Sequence, residues 1–180
     1  MKNLSFCLIL LVFSVIGFTQ EKQEKIQWQE GSLSWQDFKA KPDHSNSYSA
    51  NTNSGMSYSW NYSTASGEPV LNYEIAANFY PNLSWVKEVQ NKVYLLAHEQ
   101  LHFDISELHA RKLRKALEDY EIGRTIRQDL KRIYNRIESD RVAMQNQFDK
   151  ETSHSENSSA EMRWRQFVAD ELKELEKYSF

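Results

Sequence analysis

The sequence predicts an α+β domain, a small antiparallel sheet of three or four strands followed by three helices. Three observations carry that prediction: a period of two in the side chains of residues 48–80, a helical period after Pro81, and glycine or proline at the borders between segments. The size fits one core. The chain has 180 residues, 40% of them apolar and 13% aromatic, so residues 31–180 are expected to form a single domain rather than a disordered chain or two full domains. Basic and acidic side chains, 22 against 25, leave a net charge of −3, which gives no electrostatic reason to expect a nucleic-acid partner.

Residues 1–19 read as a signal peptide, cleaved on export to a periplasmic or extracellular place. Lys2 supplies the positive start, residues 6–16 are apolar apart from Ser14, and Gly17 and Thr19 are small residues at the cut. That run falls short of the ~18 to 20 apolar residues that cross a bilayer, so no integral membrane segment is expected. The single cysteine, Cys7, leaves with the leader. The mature chain then has no thiol, and any metal must be held by imidazole and carboxylate. Residues 20–30 are polar and expected to be flexible. Order is expected to begin at 32–38, where Leu33 and Trp35 alternate with polar neighbours.

In 48–64 the larger groups, among them Met56, Tyr58, Trp60 and Tyr62, take even positions and mostly serines take odd ones, the mark of a strand with one wet face. A turn is expected near 53–55 and a second at 66–69. Beyond it Leu71, Tyr73, Ile75, Ala77 and Phe79 alternate with Asn72, Glu74, Ala76 and Asn78. From 85 to 120 the period turns helical through Val86, Val89, Val93, Leu96, Leu101, Ile105, Leu108 and Leu113, with no Gly or Pro to interrupt it. A second helix spans 124–150, its stripe including Ile126, Leu130, Ile137, Val142 and Phe148. Ser158 and Glu161 have the form of a capping box that opens a third, which carries Met162, Trp164, Phe167, Val168 and Leu172.

The residues that carry chemistry are His98-Glu99-Gln100-Leu101-His102, an HExxH pattern in the first long helix. Residues four apart share a helix face, so both imidazoles reach one metal ion and Glu99 stands beside it. Chance would place such a pattern in a chain of this composition on the order of once in a hundred. Uncharged neighbours, Leu95, Leu96, Ala97, Gln100, Leu101 and Phe103, suit a dry metal site; Asp104 departs from the apolar residue usual there.

A catalytic zinc takes three protein ligands and keeps one position open. His109 shares the face of His98 but stands ~16 Å along a continuous helix, so it cannot reach; a packing or solvated histidine is expected. His44 lies in an early loop with no supporting pattern. In Phe148-Asp149-Lys150-Glu151-Thr152-Ser153-His154, three ligand types crowd a helix-to-loop junction. His154 is the first choice as third ligand, before Glu151 and Asp149, and the two that do not bind metal would orient a ligand imidazole.

The stretch HEQLHFDISELHARKL from His98 to Leu113, the later FDKETSH from Phe148 to His154, and the early Leu33-Ser34-Trp35-Gln36-Asp37-Phe38 resemble the bacterial family known as domain of unknown function 922, labelled predicted secreted zinc-dependent proteases. The resemblance implies a zincin-like fold with the HExxH motif on the first long helix. It also implies metal and catalytic roles for His98, His102 and Glu99, and family positions at Asp104, Glu107, Arg111, Asp149, Glu151 and His154. Glu107 and Arg111 form an i,i+4 pair expected on the helix surface, and Asp104 and Arg111 share a face that would bridge to another element.

The expected function is that of a secreted zinc metallopeptidase acting on a peptide or protein substrate. Zn2+ on His98, His102 and His154 activates its water as nucleophile, and Glu99 serves as general base. A sheet edge at 70–80 is expected to hold an extended substrate. The alternative is a non-catalytic envelope binding or structural protein stabilised by zinc. An amidase acting on cell-wall peptides differs from the leading expectation only in substrate.

Overall fold

The computed structural model describes residues 23–28, 31–65, 67–88 and 92–179. The signal-peptide reading of 1–19 therefore lies outside the described residues. The observed order is β1 (Ile26–Gln27), β2 (Ala50–Asn51), β3 (Ser54–Ser63), β4 (Val70–Phe79), β5 (Trp85–Val86), α1 (Lys92–Glu118), α2 (Ile126–Thr152) and α3 (Ser158–Glu174). The expected class, a small antiparallel sheet followed by three helices, is what the fold shows.

Strands β3 and β4 form a long antiparallel hairpin, Met56 opposite Ala77, Tyr58 opposite Ile75 and Trp60 opposite Tyr73. The larger side chains of both strands fall on one face, and that face packs on α1 and α2. β1 joins the outer side of β4, giving the order β1-β4-β3, while β2 and β5 make a separate two-stranded ladder. The core has two parts. One, including Leu33, Phe38, Ile75, Phe79, Phe103 and Leu113, lies between sheet and helices; the other, Leu101, Ile105, Phe148, Trp164 and Val168, lies among the three helices. α1 contributes to both, so it is buried on nearly every side and can present charged groups to the interior.

Several expectations change. Order begins before 32, because Ile26–Gln27 pair with Phe79 and Asn78 and the Trp28 indole donates to Asp104 at 2.8 Å. The first helix starts at Lys92, since Trp85–Val86 pair with β2 instead. No turn occupies 53–55; Ser54 and Gly55 already belong to β3. Val93, Val142, Met162 and Phe167 are exposed rather than buried, the inner faces of their helices being taken by neighbours such as Arg141, Glu161 and Trp164. The cap of α3 is Asn157, whose side chain accepts from the Ala160 N–H, and not Ser158. Glu107 and Arg111 are buried, not at the surface, and Arg111 reaches the Leu172 carbonyl rather than Asp104. Among the described residues no helix is long and apolar enough to cross a membrane.

Candidate metal centre

His98 and His102 sit one turn apart on α1 with their rings 5.1 Å apart at 86°. Phe148 of α2 closes the space behind both, its ring 4.5 Å from that of His98 and 5.0 Å from that of His102. One residue further along α2, Asp149 turns its carboxylate to the imidazoles: Oδ1 lies 3.0 Å from His102 Nε2 and 3.5 Å from His98 Nε2. Taken together, one ligand atom from each of the three residues falls within 4.8 Å of the others, a group that could hold a metal ion. Donor atoms about 2.0 to 2.2 Å from a tetrahedral ion stand about 3.4 Å apart, so little movement separates this arrangement from coordination.

The other nitrogen of each ring is already committed. His98 Nδ1 donates to Glu161 Oε2 at 2.9 Å, and His102 Nδ1 donates to Gln145 Oε1. The Gln145 amide cannot flip without loss, because its Nε2 donates to the His102 carbonyl at 2.7 Å. Glu161 is fully buried, and its second oxygen accepts from Arg165 Nε and Nη2. Acceptors on both Nδ1 atoms leave the lone pair of each neutral ring on Nε2, where the three-residue group converges. The donor set therefore fits a metal.

The charges follow. Burial lowers the His98 pKa, but hydrogen bonds to Asp149 and Glu161 outweigh it and raise the value to about 9. Burial opposes the charge on His102 too, and Asp149 again raises it. Burial pushes the Asp149 carboxyl up, yet the two imidazoles hold it well below the usual carboxylate range. The raised imidazole values mean that a cation binding at the Nε2 atoms competes with protons there.

Asp149 takes the place expected for His154. Past Asp149 the chain turns left-handed at Ser153, His154 and Ser155, with φ of 50°, 50° and 74°. That turn carries His154 off the helix line and over the cleft, where its ring stacks on Tyr48 at 3.9 Å and its Nδ1 stays 3.5 Å from Asp149 Oδ1. Glu151 faces away, accepting from Gln147 and from the Trp164 indole. His109 is buried and donates from Nδ1 to the Ile105 carbonyl, a packing histidine as expected. His44 is exposed and forms no part of the cleft wall.

Glu99 is buried beside the two histidines, and among the described residues its Oε2 has no hydrogen-bond partner. Both histidines, Glu99 and Asp149 open onto a cleft of about 270 Å³, with residues 48–54 along one wall and Arg141, Gln145 and His154 along the other. Sequence reasoning missed Glu161, Gln145 and this wall. A signal for Glu161 was present: it shares a helix face with Trp164 and Val168, and a carboxylate on an apolar stripe calls for a partner.

Searches of the curated proteins and of the solved structures found no match to this chain. A family model does match, over residues 31–155, which takes in the HExxH helix, Asp149 and His154 but stops before Glu161. The chain belongs to that family, DUF922, described as bacterial protein of unknown function.

Proposed function

We propose that this protein is a zincin-like, zinc-dependent hydrolase of amide bonds, most simply a peptidase, exported by way of its N-terminal leader. His98, His102 and Asp149 would hold the ion. A zinc ion bound there would polarise a substrate carbonyl and lower the pKa of water towards ~7. The side chains do the rest. Glu161 and Gln145 keep the two imidazoles in the tautomer that points Nε2 at the ion. Glu99, next to that point but outside the ligand group, accepts the proton of the attacking water and delivers it to the departing amine. Phe148 and the helices behind it exclude water from the inner side of the site.

The observation that carries this reading is the Glu99 oxygen, buried without a partner at the edge of an open cleft. A carboxylate left this way costs on the order of 1–3 kcal/mol, and beside the ligand group such an oxygen is what a general base needs. The test is metal analysis of purified protein, with cleavage of a peptide library by wild type and by Glu99→Gln. Bound zinc and cleavage reduced about 10²- to 10⁴-fold in the variant are expected. Wild type free of zinc, or undiminished cleavage by Glu99→Gln, overturns the reading.

A further inference from the structure

We infer that the outer edge of β2 is the substrate-binding strand of this cleft, and that the substrate is an extended polypeptide held by its main chain. This rests on the hydrolase reading for its consequence, though the edge itself stands on hydrogen-bond accounting. Ala50 opposes Val86 and Asn51 opposes Trp85 in the β2–β5 ladder, and the Ser49 carbonyl accepts from the Lys87 N–H at 2.8 Å. Ser49 and Lys87 are thus a hydrogen-bonded pair, so Ala50 and Val86 are the non-bonded pair that follows it. Asn51 and Trp85 are then the next bonded pair, and two residues past Asn51 the chain is again tied on the inner side: the Asn53 N–H donates to Ser84 Oγ and its carbonyl accepts from the Tyr80 N–H, both at 2.9 Å.

Bonded residues alternate along a strand, so the N–H and C=O groups of Ala50 and Thr52 point to the opposite edge. No backbone hydrogen bond meets them among the described residues. Residues 48–54 line the cleft whereas Trp85 and Val86, on the inner side, do not, so the outer edge is the one turned to it. The segment is also held at a fixed height over the active helix, because Thr52 Oγ1 donates to the Glu99 carbonyl and Ser54 Oγ to the His102 carbonyl, each at 3.2 Å. A chain laid along Ala50–Thr52 therefore runs beside the helix turn that carries Glu99 and His102. A single-amide small molecule would leave most of these donors and acceptors unmet; an extended peptide satisfies two residues' worth.

The expected edge at 70–80 does not serve. β4 is the central strand, and on its outer side Arg114 Nη2 already occupies the Ile75 carbonyl.

The test uses zinc-loaded Glu99→Gln protein and a degenerate library of unstructured octapeptides. A captured peptide is then resynthesised with one backbone N-methyl group at each position in turn. Affinity is expected to fall about three- to tenfold at two positions spaced by two and not at the residue between them. Ala50→Pro removes the outward N–H, which the β2–β5 ladder does not use, and is expected to weaken peptide binding by a similar factor while zinc content stays unchanged. Uniform sensitivity to N-methylation, or hydrolysis of a small acyl amide by wild type with no peptide captured from the library, overturns the inference and leaves the hydrolase reading standing. Peptides bound in the alternating pattern by a wild-type protein that cleaves nothing support the inference and remove the hydrolase reading instead. If Ala50→Pro does not fold, the N-methyl scan decides.

Discussion

The two halves of α1 both bury charge, and they do so in opposite ways. In the C-terminal half, Glu107 Oε1 accepts from Arg111 Nε and Arg114 Nη1 at 3.0 Å each. Those guanidinium groups go on to the carbonyls of Leu172, Tyr178 and Ile75, tying the helix to α3, to the C-terminal turn and to β4. In the N-terminal half His98, His102 and Asp149 bring one ligand atom each within 4.8 Å of the others, beside an open cleft. Among the described residues Glu107 also has one oxygen without a partner, but Glu107 forms no part of the cleft wall. A buried cluster whose charges end on the carbonyls of other elements specifies how those elements dock. One whose ligand atoms face a cavity is suited to chemistry.

The contrast is broken most directly at Glu107. Glu107→Gln takes the shared carboxylate charge away from two buried guanidinium groups, and removing one partner of such a cluster costs about 3–5 kcal/mol. Urea unfolding should show that loss, while zinc affinity of the folded fraction stays within about threefold of wild type. A stability loss below about 1 kcal/mol would mean that the cluster is not the docking device described.

A smaller effect separates Asp149 from His154 as third ligand. Asp149→Ala removes an atom 3.0 and 3.5 Å from the two Nε2 positions and should weaken zinc binding by about 100-fold or more. His154→Ala removes a ring stacked on Tyr48 and should change affinity by less than about threefold. Competition with a zinc chelator measures both, and the reverse order would restore His154 to the coordination shell.

Much of this molecule could be read in its sequence because the relevant signals are periodic or local. The period of two in β3 and β4, the three helices and the HExxH spacing all describe neighbours within a few residues. What escaped depends on contacts between distant segments. Trp28 reads as part of the polar segment 20–30 until Asp104 and the Arg111 guanidinium, 5.2 Å from its ring, are seen to hold it. Glu161 fits a capping box as well as it fits a partner for His98, and only the docking of α3 on α1 decides. Glu107 and Arg111 look the same in sequence whether exposed or buried. The choice between Asp149 and His154 turns on three left-handed residues, none of them glycine, that no propensity would suggest.

The last comparison is between two imidazoles on one helix. His98 faces Asp149 and Glu161, which raise its pKa to about 9. His109 is equally buried, but its Nδ1 donates to the neutral Ile105 carbonyl, so burial prevails and lowers its pKa to about 4. An unfolded histidine titrates near 6.5, so between pH 6.5 and 4 the unfolded chain binds a proton that the folded His109 refuses. The stability that neutral His109 contributes is therefore complete above pH 6.5 and declines as pH falls towards 4. Between pH 7 and 4.5 the decline amounts to roughly 2–3 kcal/mol. His109→Leu fills the same buried site with a group that does not titrate. Unfolding free energies of wild type and His109→Leu, measured at both pH values, should differ in their pH dependence by about that amount, the variant losing less on acidification. Parallel losses in the two proteins would show that His109 is protonated in the fold and that the C-terminal half of α1 is more open to water than its contacts imply.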